Sequence, residues 1–308
     1  MTARTLLVLG LAGLGVLGCE QAPAPPAATA RPLAVASFFT LWDFTTKVAG
    51  DRAEVVSLVP PGVEPHDWEP TPQDVIQVRK ARLFLYNGAG FEQAADRLLK
   101  EIAGAGPLAV DTIAGITLLE APAEARGGRG KDHARDPHVW LDPILAQTQV
   151  DAITAGLVQA DPEGRVGYTE RAAAYKVKLA ALHAEFEAGL RECARRDVVT
   201  SHAAFTYLAR RYRLNQVPVL GIAPETEPSP ADLARLVRFA RRAGVKYIFF
   251  ETLVSPKLAE TLAREVGAKT LVLNPVEGLT REEAAAGKDY LALMRENLAN
   301  LRTALECR

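Results

Sequence analysis

From residue 32 onward, short apolar runs alternate with stretches of helical spacing. LAVAS (33–37) reads as a strand and leads into a helix near 39–49. EVVSLVP (54–60), RLFLYNG (82–88) and PLAVD (107–111) read as further strands. Thr71-Pro72-Gln73-Asp74 opens a helix, with Thr71 as N-cap, Pro72 at the first position and Asp74 in the first turn. Another helix is expected over 91–103, and one from Pro143 to about Ala160. Over 169–193 a long helix places Leu179, Leu182, Phe186 and Leu190 on one stripe. It would span about 37 Å and can act as a rigid strut. The second half repeats the style of the first. DVVTSH (197–202), VPVLGI (217–222), YIFFE (247–251) and TLVLN (270–274) are strands, with helices after each. Ser229-Pro230-Ala231-Asp232 marks another capped start. Strand-helix alternation predicts an α/β fold with mainly parallel sheets flanked by helices. The expected domains are an N-terminal lobe (32–160), a linker helix (161–193) and a C-terminal lobe (194–308).

At 308 residues the chain exceeds a usual single core, which agrees with two lobes. Its formal net charge of −1 gives no electrostatic case for nucleic acid. The apolar run from Leu6 to Gly18 is too short to span a bilayer as a helix but fits the core of a secretory signal. It ends in Val16-Leu17-Gly18-Cys19, which resembles a bacterial lipoprotein box. The expectation is therefore a signal peptide over 1–18, a lipidated Cys19 and a Pro/Ala-rich tether over 19–31. The mature chain would sit in the periplasm or at the cell surface, held to the membrane by lipid. Cys193 and Cys307 remain, and an exported compartment permits a disulfide between them. Their spacing alone leaves the pairing open.

The chain has five histidines. His66 lies in the proline-rich PPGVEPHDWEP, after the second strand. His138 lies in DPHVWLDP, and His202 ends DVVTSH. Ligands of open α/β sheets collect beyond the carboxyl ends of the strands, so a cleft between lobes would unite these three. Glu251, at the end of YIFFE, can enter the same cleft. Neutral imidazole suits Zn²⁺, and three histidines leave a fourth position for a carboxylate or water. His133, in the glycine-rich GGRGKDHARD (127–136), has no fixed partner and at most captures metal transiently, and His183 in the long helix reads as structural or solvent-facing. Glu64 and Asp67 flank His66 and read as solvated loop carboxylates, with tuning of that imidazole as the alternative. Glu225 and Glu227 precede a helix and read as structural or as a contact for a partner. Trp68 and Trp140, each two residues past one of these histidines, should wall the cleft.

PPGVEPHDWEPTPQD, DPHVWLDP, SHAAFTYLARRY, EPSPADLARL and FFETLVSPKLAETLAREVGAKTLVLNP together resemble the metal-specific solute-binding proteins of bacterial ABC importers, the zinc/manganese type. That resemblance covers nearly the whole mature chain. It implies two α/β lobes joined by a long rigid helix, with one metal ion in the cleft held by His66, His138 and His202. Relatives that carry manganese usually place a carboxylate at the third of these positions, in keeping with that ion's preference for oxygen. His202 thus points to the zinc branch, with Mn²⁺ as the alternative. Many relatives have an aspartate where this chain has Asn274, so the fourth group stays open among Glu251, water and Asn274. In relatives the glutamate matching Glu251 looks more like a partner that fixes a histidine's tautomer. GGRGKDHARD is a shrunken form of the histidine-rich loop that zinc-type relatives often carry.

The expected function is a monomeric zinc receptor that delivers Zn²⁺ to a cognate ABC permease, and not an enzyme. A zinc hydrolase using the three histidines with Glu251 as base is chemically competent. Against it, the chain has no HExxH helix, GxSxG elbow or phosphate-binding glycine loop. An adhesin role, sometimes given to relatives, has no specific support in the residues.

Overall fold

A computed structural model describes residues 31–102, 104, 106–121, 135–222, 224 and 229–308. The signal peptide, Cys19 and the tether as far as Ala30 lie outside the described residues. So do His133 with most of the glycine-rich loop, and Glu225 and Glu227.

Two four-stranded parallel sheets organise the chain. The first contains β1 (Leu33–Ala36), β2 (Glu54–Ser57), β3 (Leu83–Tyr86) and β4 (Leu108–Asp111), in the spatial order β2-β1-β3-β4. In the second, β5 (Asp197–Thr200), β6 (Asn215–Pro218), β7 (Tyr247–Phe250) and β8 (Lys269–Val272) take the matching order β6-β5-β7-β8. Each parallel pairing needs a crossover, and helices supply it. In the first half these are α1 (Phe39–Ala49), α2 (Pro72–Lys80) and α3 (Ala95–Ile102). The second half uses α6 (Thr206–Tyr212), α7 (Pro230–Ala243) and α8 (Lys257–Val266). Between the halves run α4 (Pro143–Ala160) and the 25-residue α5 (Arg165–Gly189), and the chain closes with α9 (Arg281–Ala285) and α10 (Tyr290–Leu305).

Helix starts follow local chemistry. Thr71 and Asp74 form a reciprocal capping box ahead of α2, with Pro72 at the first position. Asp142 and Ser229 cap α4 and α7 through the backbone N–H groups of Ile144 and Asp232. Two sequence expectations shift. The long helix begins at Arg165 and ends at Gly189, four residues earlier than its apolar stripe suggests, because the Pro162–Gly164 turn feeds straight into it. The strand expected over 217–222 ends at Pro218, which cannot donate to a ladder.

The stripe on α5 does what its spacing predicts. Leu179, Leu182, Phe186 and the following Leu190 are buried in one cluster with Leu41 and Phe44 of α1, Val150 and Ile153 of α4, and Met294 and Leu301 of α10. One apolar core therefore runs through both halves, and α5 lies along it. Arg171 on α5 donates to the carbonyls of Val48 and Ala49, capping the last turn of α1. The outer faces of the sheets have separate cores, Val35 and Phe84 under α2 and α3, and Val199 and Ile248 under α7 and α8.

Cys193 and Cys307 form a disulfide across 114 residues of sequence, joining the chain just past α5 to the C-terminus. Among the described residues, no helix is long and apolar enough to cross a membrane.

Candidate metal centre

Loops beyond strands of both sheets, and the segment leading into α4, supply one cluster. His66 follows β2 in a short turn, Pro65–Asp67, that begins with a proline. A side-chain oxygen of Glu64 accepts from the His66 backbone N–H at 3.3 Å. The imidazole lies edge-on to Phe91, with ring centroids 4.7 Å apart. Its loop is also stitched to the second half, because the Gly62 N–H donates to the Leu279 carbonyl at 2.7 Å.

His138 is fully buried. Oδ1 of Asp136 meets both its backbone N–H, at 2.9 Å, and its Nδ1, at 2.8 Å. The Tyr207 hydroxyl donates to the Asp136 carbonyl, and the Asn87 amide donates to the Pro137 carbonyl, so the peptide around the imidazole is pinned on both sides. His202, two residues beyond β5, is equally buried. Its Nδ1 lies 2.7 Å from Oε1 of Glu251, at the end of β7. Two donors, the Thr200 hydroxyl and the Gln216 amide, hold its carbonyl.

Sequence reading did not single out the fourth member. Glu277 lies in the loop after β8, and its Oε1 stands 3.2 Å from Nε2 of His138 and 3.6 Å from Nε2 of both His66 and His202. All four ligand atoms lie within 4.8 Å of one another, and all four residues are buried. Nine buried side-chain polar atoms find no hydrogen-bond partner among the described residues. Five of them are the three Nε2 atoms and the two carboxylate oxygens of Glu277. Buried polar groups are ordinarily satisfied, so such a concentration aimed at one point is what a cation would satisfy. Three imidazole nitrogens and one carboxylate oxygen make a tetrahedral zinc donor set. A carboxylate on Nδ1 places the proton there and turns the Nε2 lone pair inward, and Asp136 and Glu251 do this for His138 and His202.

A profile of the family described as "ZnuA: Zinc-uptake complex component A periplasmic" matches residues 34–304. The chain belongs to this family. It is 40% identical over 276 residues to the high-affinity zinc uptake system protein ZnuA of Bacillus subtilis (strain 168), covering 88% of this chain and 86% of that protein. To the zinc-binding lipoprotein AdcA of Streptococcus pneumoniae serotype 4 it is 36% identical over 307 residues, covering 98% of this chain but only 61% of AdcA. The chain thus spans less than two thirds of AdcA's length. The Zn(II)-bound ZnuA-like domain of Streptococcus pneumoniae AdcA superposes with a TM-score of 0.77 at 36% identity, covering 90% of this chain and 99% of the domain. The resemblance carried by the five motifs therefore holds, and the ZnuA family is one of solute receptors rather than enzymes.

Within that family frame, each candidate has a definite place. Glu251 stands behind His202, on the opposite nitrogen from the cluster. The Asn274 side chain accepts from the Val276 N–H at 2.7 Å and donates to the Thr252 hydroxyl, so its polar atoms serve the backbone. Trp140 packs at 5.2 Å from the His138 ring and walls the site, while the half-buried Trp68 lies against the core. His183, on α5, meets the hydroxyl of Tyr212 at the end of α6 and has a structural role. One signal pointed to Glu277, a lone carboxylate between proline and glycine beyond the last strand.

The electrostatics are those of mutual neutralisation. Burial opposes an imidazolium at His138 and at His202, but Asp136 and Glu251 respectively, each aided by Glu277, outweigh it and raise both histidines. Burial likewise opposes a charged Glu277, yet the three imidazoles hold its carboxyl well below the usual range. Protons and a divalent cation are thus competing ways to answer the same buried carboxylate. Glu64, expected as a solvated loop group, is half-buried and pushed up to about 8, first by burial and then by repulsion from Glu277.

Proposed function

We propose that this chain is an extracytoplasmic receptor that captures one Zn²⁺ and delivers it to the permease of an ABC importer. The observation that carries this reading is the set of four convergent, buried donor atoms, Nε2 of His66, His138 and His202 and Oε1 of Glu277. Three nitrogens and one oxygen favour zinc over manganese, which prefers a larger, oxygen-rich shell. Glu251 and Asp136 act from behind, fixing tautomers. Membership of the zinc-uptake family and the relatives' zinc-binding names support the same assignment. Cys19 carries the lipid anchor after removal of residues 1–18, and the mature receptor is a monomer.

The test is the metal content of protein purified without added metal, followed by competition between Zn²⁺ and Mn²⁺. The expected result is one zinc per chain and retention of zinc against a large excess of manganese. A manganese preference would overturn the metal assignment, and undiminished zinc affinity in His202→Ala would overturn the site.

A further inference from the structure

Glu277 reaches the cluster from an unusual piece of backbone. Val276, directly before it, sits at φ +59° and is fully buried. A β-branched residue in the left-handed region is an outlier, and such conformations persist only where the surroundings enforce them. The enforcement here is fully visible. The Val276 N–H donates to Oδ1 of Asn274, and the carbonyl of Pro275 accepts from the Trp140 indole N–H at 2.7 Å. The carbonyl of Val276 accepts from the hydroxyl of Thr40. Asn297 brackets Asn274 through both its backbone N–H and its carbonyl.

Thr40 and Trp140 belong to the first half of the chain, whereas Glu277 belongs to the second. Trp140 follows His138 by two residues and is itself held through its carbonyl by the Tyr290 hydroxyl at 2.6 Å. Thr40 sits in the first turn of α1. A helical threonine usually bonds the carbonyl four residues back, as Thr45 does with Leu41. For Thr40 that carbonyl is Ala36 in β1, which accepts from the Leu58 N–H instead. The Thr40 hydroxyl is therefore free to cross 236 residues of sequence and close the turn.

We propose that Thr40 is a positioning residue for metal capture, locking the left-handed turn at Val276 so that the Glu277 carboxylate meets the three imidazoles. This rests on Glu277 being a ligand. With the hydroxyl removed, the Val276 carbonyl is left unpaired in the core and the turn loses the contact that opposes its relaxation. A ligand displaced by more than about 0.5 Å no longer completes the donor set.

The experiment is a double-mutant cycle read by zinc affinity in chelator competition. Thr40→Val keeps the shape and removes the hydroxyl. It is expected to lower affinity about tenfold, in the range of lost outer partners of metal ligands, and Thr40→Ser should restore it. In a Glu277→Gln background, Thr40→Val should change affinity by less than about twofold, because the two act as one unit. An equal loss in both backgrounds, or no loss in either, overturns the role of Thr40. Unchanged affinity in Glu277→Gln alone overturns the ligand reading instead. If Thr40→Val does not fold, Trp140→Phe, which removes the bond to Pro275, enters the same cycle with the same expectations.

Discussion

His138 and His202 differ from His66 in how they are held. Each of the first two presents Nε2 to the cluster while a buried carboxylate grips Nδ1 from behind. His66 has no such buttress among the described residues. Its orientation comes from the Pro65 turn, the Glu64 bond to its backbone and the edge of Phe91. Two imidazoles are thus fixed by charge and one by covalent stiffness. Proline restricts the chain before folding as well as after, so the His66 loop gives up less entropy when its imidazole is fixed. A charged pair gives a stronger ligand, because the carboxylate raises imidazole basicity. His66, without one, should be the weaker and more easily released arm, and a receptor that must surrender its ion needs one.

Removing a histidine should separate the two kinds most clearly. His202→Ala is expected to lower zinc affinity by more than about 100-fold, beyond the range of outer partners. It also leaves Glu251 buried without its partner, which costs about 3 kcal/mol and several degrees of metal-free Tm. His66→Ala should weaken zinc too, yet lower the metal-free Tm by less than half as much. Equal Tm losses in thermal melts would erase the distinction. Next come the buttresses. Glu251→Gln and Asp136→Asn should each cost about 10-fold to 100-fold in zinc affinity by calorimetry. Glu64→Gln, beside the unbuttressed histidine, should cost less than about threefold by the same rule, and a larger loss there would place Glu64 in the site.

Acidity offers a subtler measurement. Raised histidines stabilise the metal-free fold fully below their unfolded pKa of 6.5, and that contribution fades as pH climbs through the raised folded values. Glu277, lowered from 4.5, contributes above that value and loses its contribution only in stronger acid. Glu64, raised from 4.5 to about 8, adds a decline with rising pH that spans that interval. Metal-free stability should therefore fall between pH 6 and 8, whereas zinc, which needs neutral imidazole, binds better over the same interval. The zinc-induced rise in Tm should grow with pH, and a constant rise would contradict the proton competition. The smallest effect on zinc is expected from Cys193→Ser. Opening so long a loop should cost about 2–4 kcal/mol of fold stability while leaving affinity within about twofold, because Cys193 precedes β5 whereas His202 follows it, at the opposite end of that strand.

What could be read from the residues was whatever local patterning dictates. Capping signals at Thr71 and Ser229 appear in the fold as expected, and the α5 stripe is buried residue for residue. His202 and His66 were legible because they come after strands, whose ends converge in parallel sheets, and His138 because the motif DPHVWLDP carries it. Glu277 was not, because it is brought in by a left-handed valine and by donors 137 and 237 residues away in sequence, Trp140 and Thr40. No local rule anticipates a conformation that only tertiary contacts can enforce. The disulfide stayed open for a similar reason, since approach of Cys193 to Cys307 depends on where α5 and α10 both end.

That disulfide also decides how the molecule would carry a load. If tension is applied between Arg31 and the C-terminus, the covalent path runs through the first sheet and α5 to Cys193, then leaps to Cys307. Residues 194–306, with the whole second sheet, form a slack loop off that path. A pulled chain would surrender its first sheet while the second stayed wound. Under reducing conditions the slack is released, and both sheets bear the force in series.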